Sequence, residues 1–170
     1  NTGSEILPAV LTVTVYDGEV PENKIYMTEV MYNPTKSGAN YEWIEIYNPN
    51  PIAIYIASWQ ISDSVDDDLI VAEEDNDLIL LPAKNIGILT SSPDIYKETY
   101  GNYQYVFSVE DTAIGNGLGN NETLTLSKGS FKDTFSYTKD DGADGNGKTL
   151  TRSCYNCVAW AEAVASPNTI

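Results

Sequence analysis

The sequence predicts an all-β sandwich carrying one short helix near residues 93–100. Three observations predict it. From Ile25 onward, short runs of β-branched and aromatic residues recur between turn signals. Residues 41–48 alternate, with Ile44 and Ile46 on one face and Trp43, Glu45 and Tyr47 on the other. Proline, which has no N–H for a ladder, closes two of the runs at Asn33-Pro34 and Asn48-Pro49.

Taken in order, the predicted strands are 25–32, 42–47, 53–61, 69–72, 78–81, 86–90, 103–108, 122–127 and 131–137. Neither face of the first strand, IYMTEVMY, is wholly apolar, and a bulge near Glu29 resolves the conflict. The helix rests on PDIYKETY, where Pro93 suits a first turn and Gly101 an end. Residues 123–137 read as a hairpin. Leu124 and Leu126 face inward, Lys128-Gly129-Ser130 turn the chain, and Phe131, Phe135 and Tyr137 return on one face. Asp133 shares that apolar face, so its carboxylate must find donors or a cation, and turn N–H groups are the expected ones.

At 170 residues the chain suits one well-buried domain, expected over 23–170. Residues 1–22 stand apart as an N-terminal strand and linker. VLTVTVY at 10–16 alternates like the last strand of a preceding β-repeat, or like an extra edge strand of this domain. No run reaches the roughly 18 apolar residues of a membrane-spanning helix, so no direct membrane insertion is expected. The opening decapeptide also lacks the basic head and apolar core of a signal peptide.

Against 9 basic residues stand 25 acidic ones, a formal charge of −16, with no histidine. That surface repels a phosphate backbone, and it suits an exported domain that stays soluble and monomeric. The absence of histidine excludes Ser-His-Asp and Cys-His catalysis and the common zinc sites.

Nine motifs occur together in one order. They are MTEVMYNP (27–34), EWIEIYNP (42–49), WQISD (59–63), LPAKNIGIL (81–89) and Tyr100-Gly101. After these come GLGNNETLTL (117–126), residues 131–137, the turn from Asp144 to Arg152, and Trp160 with Ser166-Pro167-Asn168. Across nearly all of 24–170 this series resembles the prokaryotic, exported type of lamin-tail domain. Two positions depart from the pattern: Lys84-Asn85 stands where a glycine pair is usual, and Cys154 and Cys157 occupy a normally polar loop. The resemblance implies an immunoglobulin-like sandwich, used as an accessory module beside other domains of exported proteins. Nuclear relatives bind partner proteins and, through basic surfaces, DNA. This acidic chain lacks such a surface, so nucleic-acid binding is not carried over.

Several residues invite chemistry. Glu29, Glu42 and Glu45 evoke a glycosidase pair, which needs two carboxyls about 5–9 Å apart flanking a cleft. Scaffold carboxylates bonded to backbone or tyrosine hydroxyls explain the same pattern. Asp140, Asp144 and Asn146 lie in a glycine-rich loop that suggests calcium without fitting the EF-hand frame. The acidic runs 63–68 and 73–77 raise the same idea. Cys154-Tyr155-Asn156-Cys157 supplies two metal ligands where zinc needs four, and an intraloop disulfide in an oxidising compartment fits better. Tyr100, Tyr103 and Tyr105 suggest a contact surface, and Asn121 begins a glycosylation sequon. The expected function is a non-catalytic extracellular module of a larger secreted or cell-surface protein, touching other protein domains or surface glycans. A calcium-stabilised spacer is the alternative, and an unrecognised hydrolase the third reading.

Overall fold

β1 (Tyr26–Met31) meets the first conflict in the sequence with a bulge. Its register against β2 (Trp43–Tyr47) shifts between Met27 and Glu29, leaving Thr28 as the extra residue. Side chains alternate along a strand, so an unbroken register would turn Glu29 into the core. The inserted residue instead keeps Met27 inside, sends Thr28 and Glu29 outward, and returns Val30 to the interior. The computed structural model describes residues 23–57, 59–71 and 79–169. The expected strand at 10–16, the acidic run 73–77 and the boundary of the linker at 1–22 lie outside the described residues.

The remaining elements are β3 (Ile54–Tyr55), β4 (Gln60–Ser62), β5 (Asp67–Val71), β6 (Leu80–Leu81), β7 (Ile86–Thr90) and α1 (Pro93–Tyr100). After α1 come β8 (Val106–Val109), β9 (Asn121–Lys128), β10 (Phe131–Thr138), β11 (Lys148–Arg152) and β12 (Trp160–Val164). Ten strands form one curled sheet in the order β10-β9-β4-β5-β8-β7-β2-β1-β11-β12, and β3 pairs with β6. β5 makes the curl. Its first half pairs with β4 and its second half with β8, so one strand serves both layers of an immunoglobulin-like sandwich. β7 and β8 run parallel, which requires a crossover, and α1 is that crossover.

The layer containing β2 and β7 is buried on both faces. Toward the sandwich interior, Ile44 and Ile46 join Met27, Val30, Trp59, Ile61, Leu124, Leu126 and Phe135 in the main core. On the other face, Met31, Trp43, Ile86, Ile88 and Val106 pack under Tyr96 of α1. Alternation along β2 is therefore a division between two cores, where a sheet with one wet face would show apolar against polar.

Three sequence expectations need correction. The expected strand 53–61 is two strands, β3 and β4, in different sheets. One continuous strand would send Ile54 and Ile56 to one face and Trp59 and Ile61 to the other. The chain turns where the Trp59 N–H bonds the Ile56 carbonyl, and all four side chains enter the same core. The hairpin loop is two residues, since Lys128 pairs with Phe131, and Gly129 at φ +59° supplies the left-handed turn. β11 and β12 were not anticipated as strands. Their sequences KTLTR and WAEAV carry few large apolar residues, and pairing with each other and with β1 defines them.

Candidate functional site

The glutamates are the natural place to look for catalysis, and each is held by internal donors. Thr149 Oγ1 and the Ser166 N–H donate to Glu29. Thr28 Oγ1 and the Asn168 N–H donate to Glu45 at 2.7 and 2.9 Å. The Leu118 N–H donates to Glu42 at 2.8 Å. The donors are backbone N–H groups and Ser or Thr hydroxyls, with none of the expected tyrosine hydroxyls among them. Glu29 and Glu45 face each other across β1 and β2 on the helix side, while Glu42 bonds to the loop that precedes β9. Burial pushes the Glu45 carboxyl up to about 7; the Glu29 charge adds to the rise, and the Thr28 and Asn168 bonds oppose it. Burial also raises Glu42 to about 7 against the Leu118 bond.

Asp133 lies on the apolar face as its position predicts, and its partners differ from the expected turn N–H groups. Arg152 of β11 grips both carboxylate oxygens, at 2.9 and 3.2 Å, and the Met27 N–H donates at 2.8 Å. Turn donors cannot reach the middle of a paired strand, whereas the facing layer can. Arg152 also donates to the Tyr155 carbonyl and lies 4.8 Å over the Trp160 ring, which stacks on Phe135 at 3.8 Å. This clamp ties β10, β1 and the β11–β12 hairpin together.

The loop at 140–147 brings N–H donors together around a carboxylate. The Ala143 N–H, the Asn146 amide and the Lys148 ammonium all donate to Glu162 of β12. Those bonds, the Ala143 one foremost, hold the half-buried Glu162 carboxyl down near 2. Asp144 accepts from the Asn33 side chain, and Asp140 is exposed. A calcium loop needs oxygens pointing inward, and among the described residues no group of three or more acidic, Cys or His side chains is placed to hold a metal ion. In the run 63–68, Asp63 accepts the N–H groups of Val65, Asp66 and Asn116, and Asp68 accepts that of Gly115. These acids cap loops.

Cys154 and Cys157 form the expected disulfide, which closes a four-residue loop between β11 and β12. Asn121 opens β9 and is exposed. The three tyrosines of the expected contact surface are half-buried. Tyr103 donates its hydroxyl to the Ile86 carbonyl and touches Tyr105 at 5.8 Å, while Tyr105 packs against the main core. Tyr100 instead joins Trp43 and Tyr96.

That last grouping forms a cavity of about 70 Å³ between α1 and the segment before β2. Tyr41, Trp43, Tyr96 and Tyr100 wall it, and Lys36 and Asn40 stand at its rim. Tyr96 and Tyr100 are one helical turn apart and share a face of α1. Trp43 meets their rings edge-on at 6.0 and 5.6 Å, and the Lys36 ammonium lies 5.2 Å over the Tyr41 ring. Trp43 is 1% exposed, and its indole N–H has no hydrogen-bond partner. Sequence reasoning missed this pocket because it grouped Tyr100 with its neighbours in the chain. The i,i+4 spacing of Tyr96 and Tyr100 was the available signal.

No described helix is long and apolar enough to cross a membrane. No curated protein and no solved structure gives a significant match to the chain. The family model for the Lamin Tail Domain matches residues 5–139, beginning ahead of the expected boundary at 23 and ending ahead of 170. With the curled sandwich and the Glu42–Leu118 bond joining two of the sequence motifs, that match, spanning well over half the residues, places this chain in the lamin tail domain family.

Proposed function

We propose that this domain is a non-catalytic extracellular module of a larger secreted or cell-surface protein, making contact with protein domains or surface glycans. The observation that carries the reading is the use of its acids. Glu29, Glu42, Glu45 and Asp133 are buried and bonded to donors from the fold itself, which supports a scaffold role for them over proton exchange with a substrate. Membership of a family of non-catalytic immunoglobulin-like domains supports the same reading. The disulfide suits an oxidising compartment, and the charge of −16 disfavours nucleic acid and keeps isolated copies apart.

The test pairs a turnover screen with a binding screen on the isolated protein. Ester, phosphoester and glycoside substrates are expected to remain intact, and sustained turnover of any of them overturns the non-catalytic reading. Binding to purified surface polysaccharides or to neighbouring domains of the parent protein, measured by interferometry, is the expected positive. Failure to bind either class overturns the interaction reading.

A further inference from the structure

β10 is an eight-residue strand at one end of the sheet order, and no described element pairs with its outer edge. Its hairpin with β9 closes on a two-residue loop, so Phe131, Asp133, Phe135 and Tyr137 exchange their backbone bonds with β9. The N–H and C=O groups of Lys132, Thr134 and Ser136 therefore point away from the sheet. A long, regular edge of this kind is a template for pairing with another strand unless something covers it.

Two clefts lie along that edge. One, of about 380 Å³, runs beside residues 133–136 and the β11–β12 hairpin, with Phe135, Leu150, Val158 and Trp160 as its apolar wall. The other, of about 660 Å³, opens at the start of β10 beside Tyr26, Phe131 and Asn23, the first described residue. Lys24, Lys128 and Lys132 line this second cleft. Three of the 9 basic residues thus gather at one spot on a molecule of charge −16.

The segment that leads into Asn23 has the matching chemistry. Residues 10–16, VLTVTVY, alternate Leu11, Val13 and Val15 against Thr12 and Thr14, and residues 17–22 carry Asp17, Glu19 and Glu22. β10 alternates in the same way, with Phe135 and Tyr137 buried against exposed Lys132, Thr134 and Ser136. On the exposed face, the Thr123–Ser136 and Thr125–Thr134 pairs form hydroxyl rows across β9 and β10 at 2.9 and 3.4 Å. The family match begins at residue 5 and so takes in this segment.

We propose that residues 10–16 of this chain pair antiparallel with the free edge of β10. Thr14 lies opposite Thr134 and Thr12 opposite Ser136, which continues both hydroxyl rows. Val13 then enters the apolar cleft beside Phe135, and the three acids of 17–22 pass the lysines at the start of β10. Connectivity sets the direction. A parallel strand would end near Thr138, about 24 Å from the start of β10, and would leave the turn-rich linker almost fully stretched. Covering the edge removes the template through which copies of this chain would otherwise pair.

Amide hydrogen exchange on the full 170-residue chain decides it. The Thr134 and Ser136 amides are expected to be protected. Val13→Asp, which puts a charge in the apolar cleft, is expected to speed both roughly tenfold or more, the equivalent of at least one net hydrogen bond. The Phe135 amide bonds β9 and is expected to keep its rate. Should that variant not fold, a nuclear Overhauser contact between the Val13 and Phe135 α-protons of the unaltered chain reads the same register, because that register makes them a close, non-hydrogen-bonded pair. Unprotected Thr134 and Ser136 amides overturn the proposal, and so does protection that Val13→Asp leaves unchanged, which would give the edge to another occupant. An Overhauser contact seen only between differently labelled molecules also overturns it, since the strand then comes from a second copy.

Discussion

Asp133 and Glu45 are carboxylates buried to similar extents, at 8% and 3% exposure, and the fold treats them in opposite ways. Asp133 receives a cation, Arg152, together with one backbone N–H. Glu45 receives only neutral donors, Thr28 and the Asn168 N–H, and faces a second carboxylate, Glu29. The difference teaches what each region is for. The Asp133 clamp joins the two layers of the sandwich through a fixed charge pair. Glu29 and Glu45 fasten residues 166–168 over the helix-side face with hydrogen bonds from neutral donors, and burial leaves the Glu45 carboxyl raised to about 7.

The largest expected effect breaks the clamp. Arg152→Met strands a buried carboxylate and should cost about 3–5 kcal/mol in denaturant unfolding. Adding Asp133→Leu should recover most of that loss, because replacing a whole buried pair is close to neutral apart from the orphaned Met27 N–H. A loss below about 1 kcal/mol for Arg152→Met would show that the pair does not hold the layers together.

Next in size is the pH dependence of the other region. The folded Glu42 and Glu45 values near 7 lie above the ordinary 4.5, so the folded state binds more protons between those limits. Stability from these groups is therefore fully present below about pH 4.5 and declines as pH rises through 7. The decline should be on the order of 2–3 kcal/mol per group, read as a lower melting temperature at pH 7.5 than at pH 5.5. Glu45→Gln should flatten the profile; an unchanged profile in that variant would place the pH dependence elsewhere.

The disulfide comes third. Its loop positions Tyr155, whose carbonyl is the third partner of Arg152. Closing four residues is worth about 2 kcal/mol at most by chain entropy, so Cys154→Ser with Cys157→Ser should cost that or less. The smallest effect returns to Glu45. Thr28→Val removes one donor and should cost about 1–1.5 kcal/mol while shifting the pH midpoint further upward, which titration of the melting temperature detects.

Much of this was legible in the residues. The bulge near Glu29 followed from a strand whose two faces could not both be satisfied, and α1 followed from Pro93 and Gly101 at its ends. The division of Ile44 and Ile46 from Trp43 and Tyr47 followed from strand periodicity. The site was less legible. Glu162 lies 16 residues from Asn146, and nothing in the loop sequence tells a ring of donors from a ring of oxygens. β11 and β12 lacked the apolar alternation that marks a strand; β12 is the edge of the sheet, and none of its residues is fully buried.

The sequence by itself determined periodicity and the helix ends, which depend on residues within a few positions of one another, and the family, which rests on short local motifs in a fixed order. Tertiary structure alone decided which donor meets which acid, that Arg152 rather than a turn answers Asp133, and that Tyr100 closes a pocket with Trp43. Those outcomes depend on residues as many as 137 positions apart being brought into contact. The curl of one sheet through β5 makes that contact, and no local pattern encodes it.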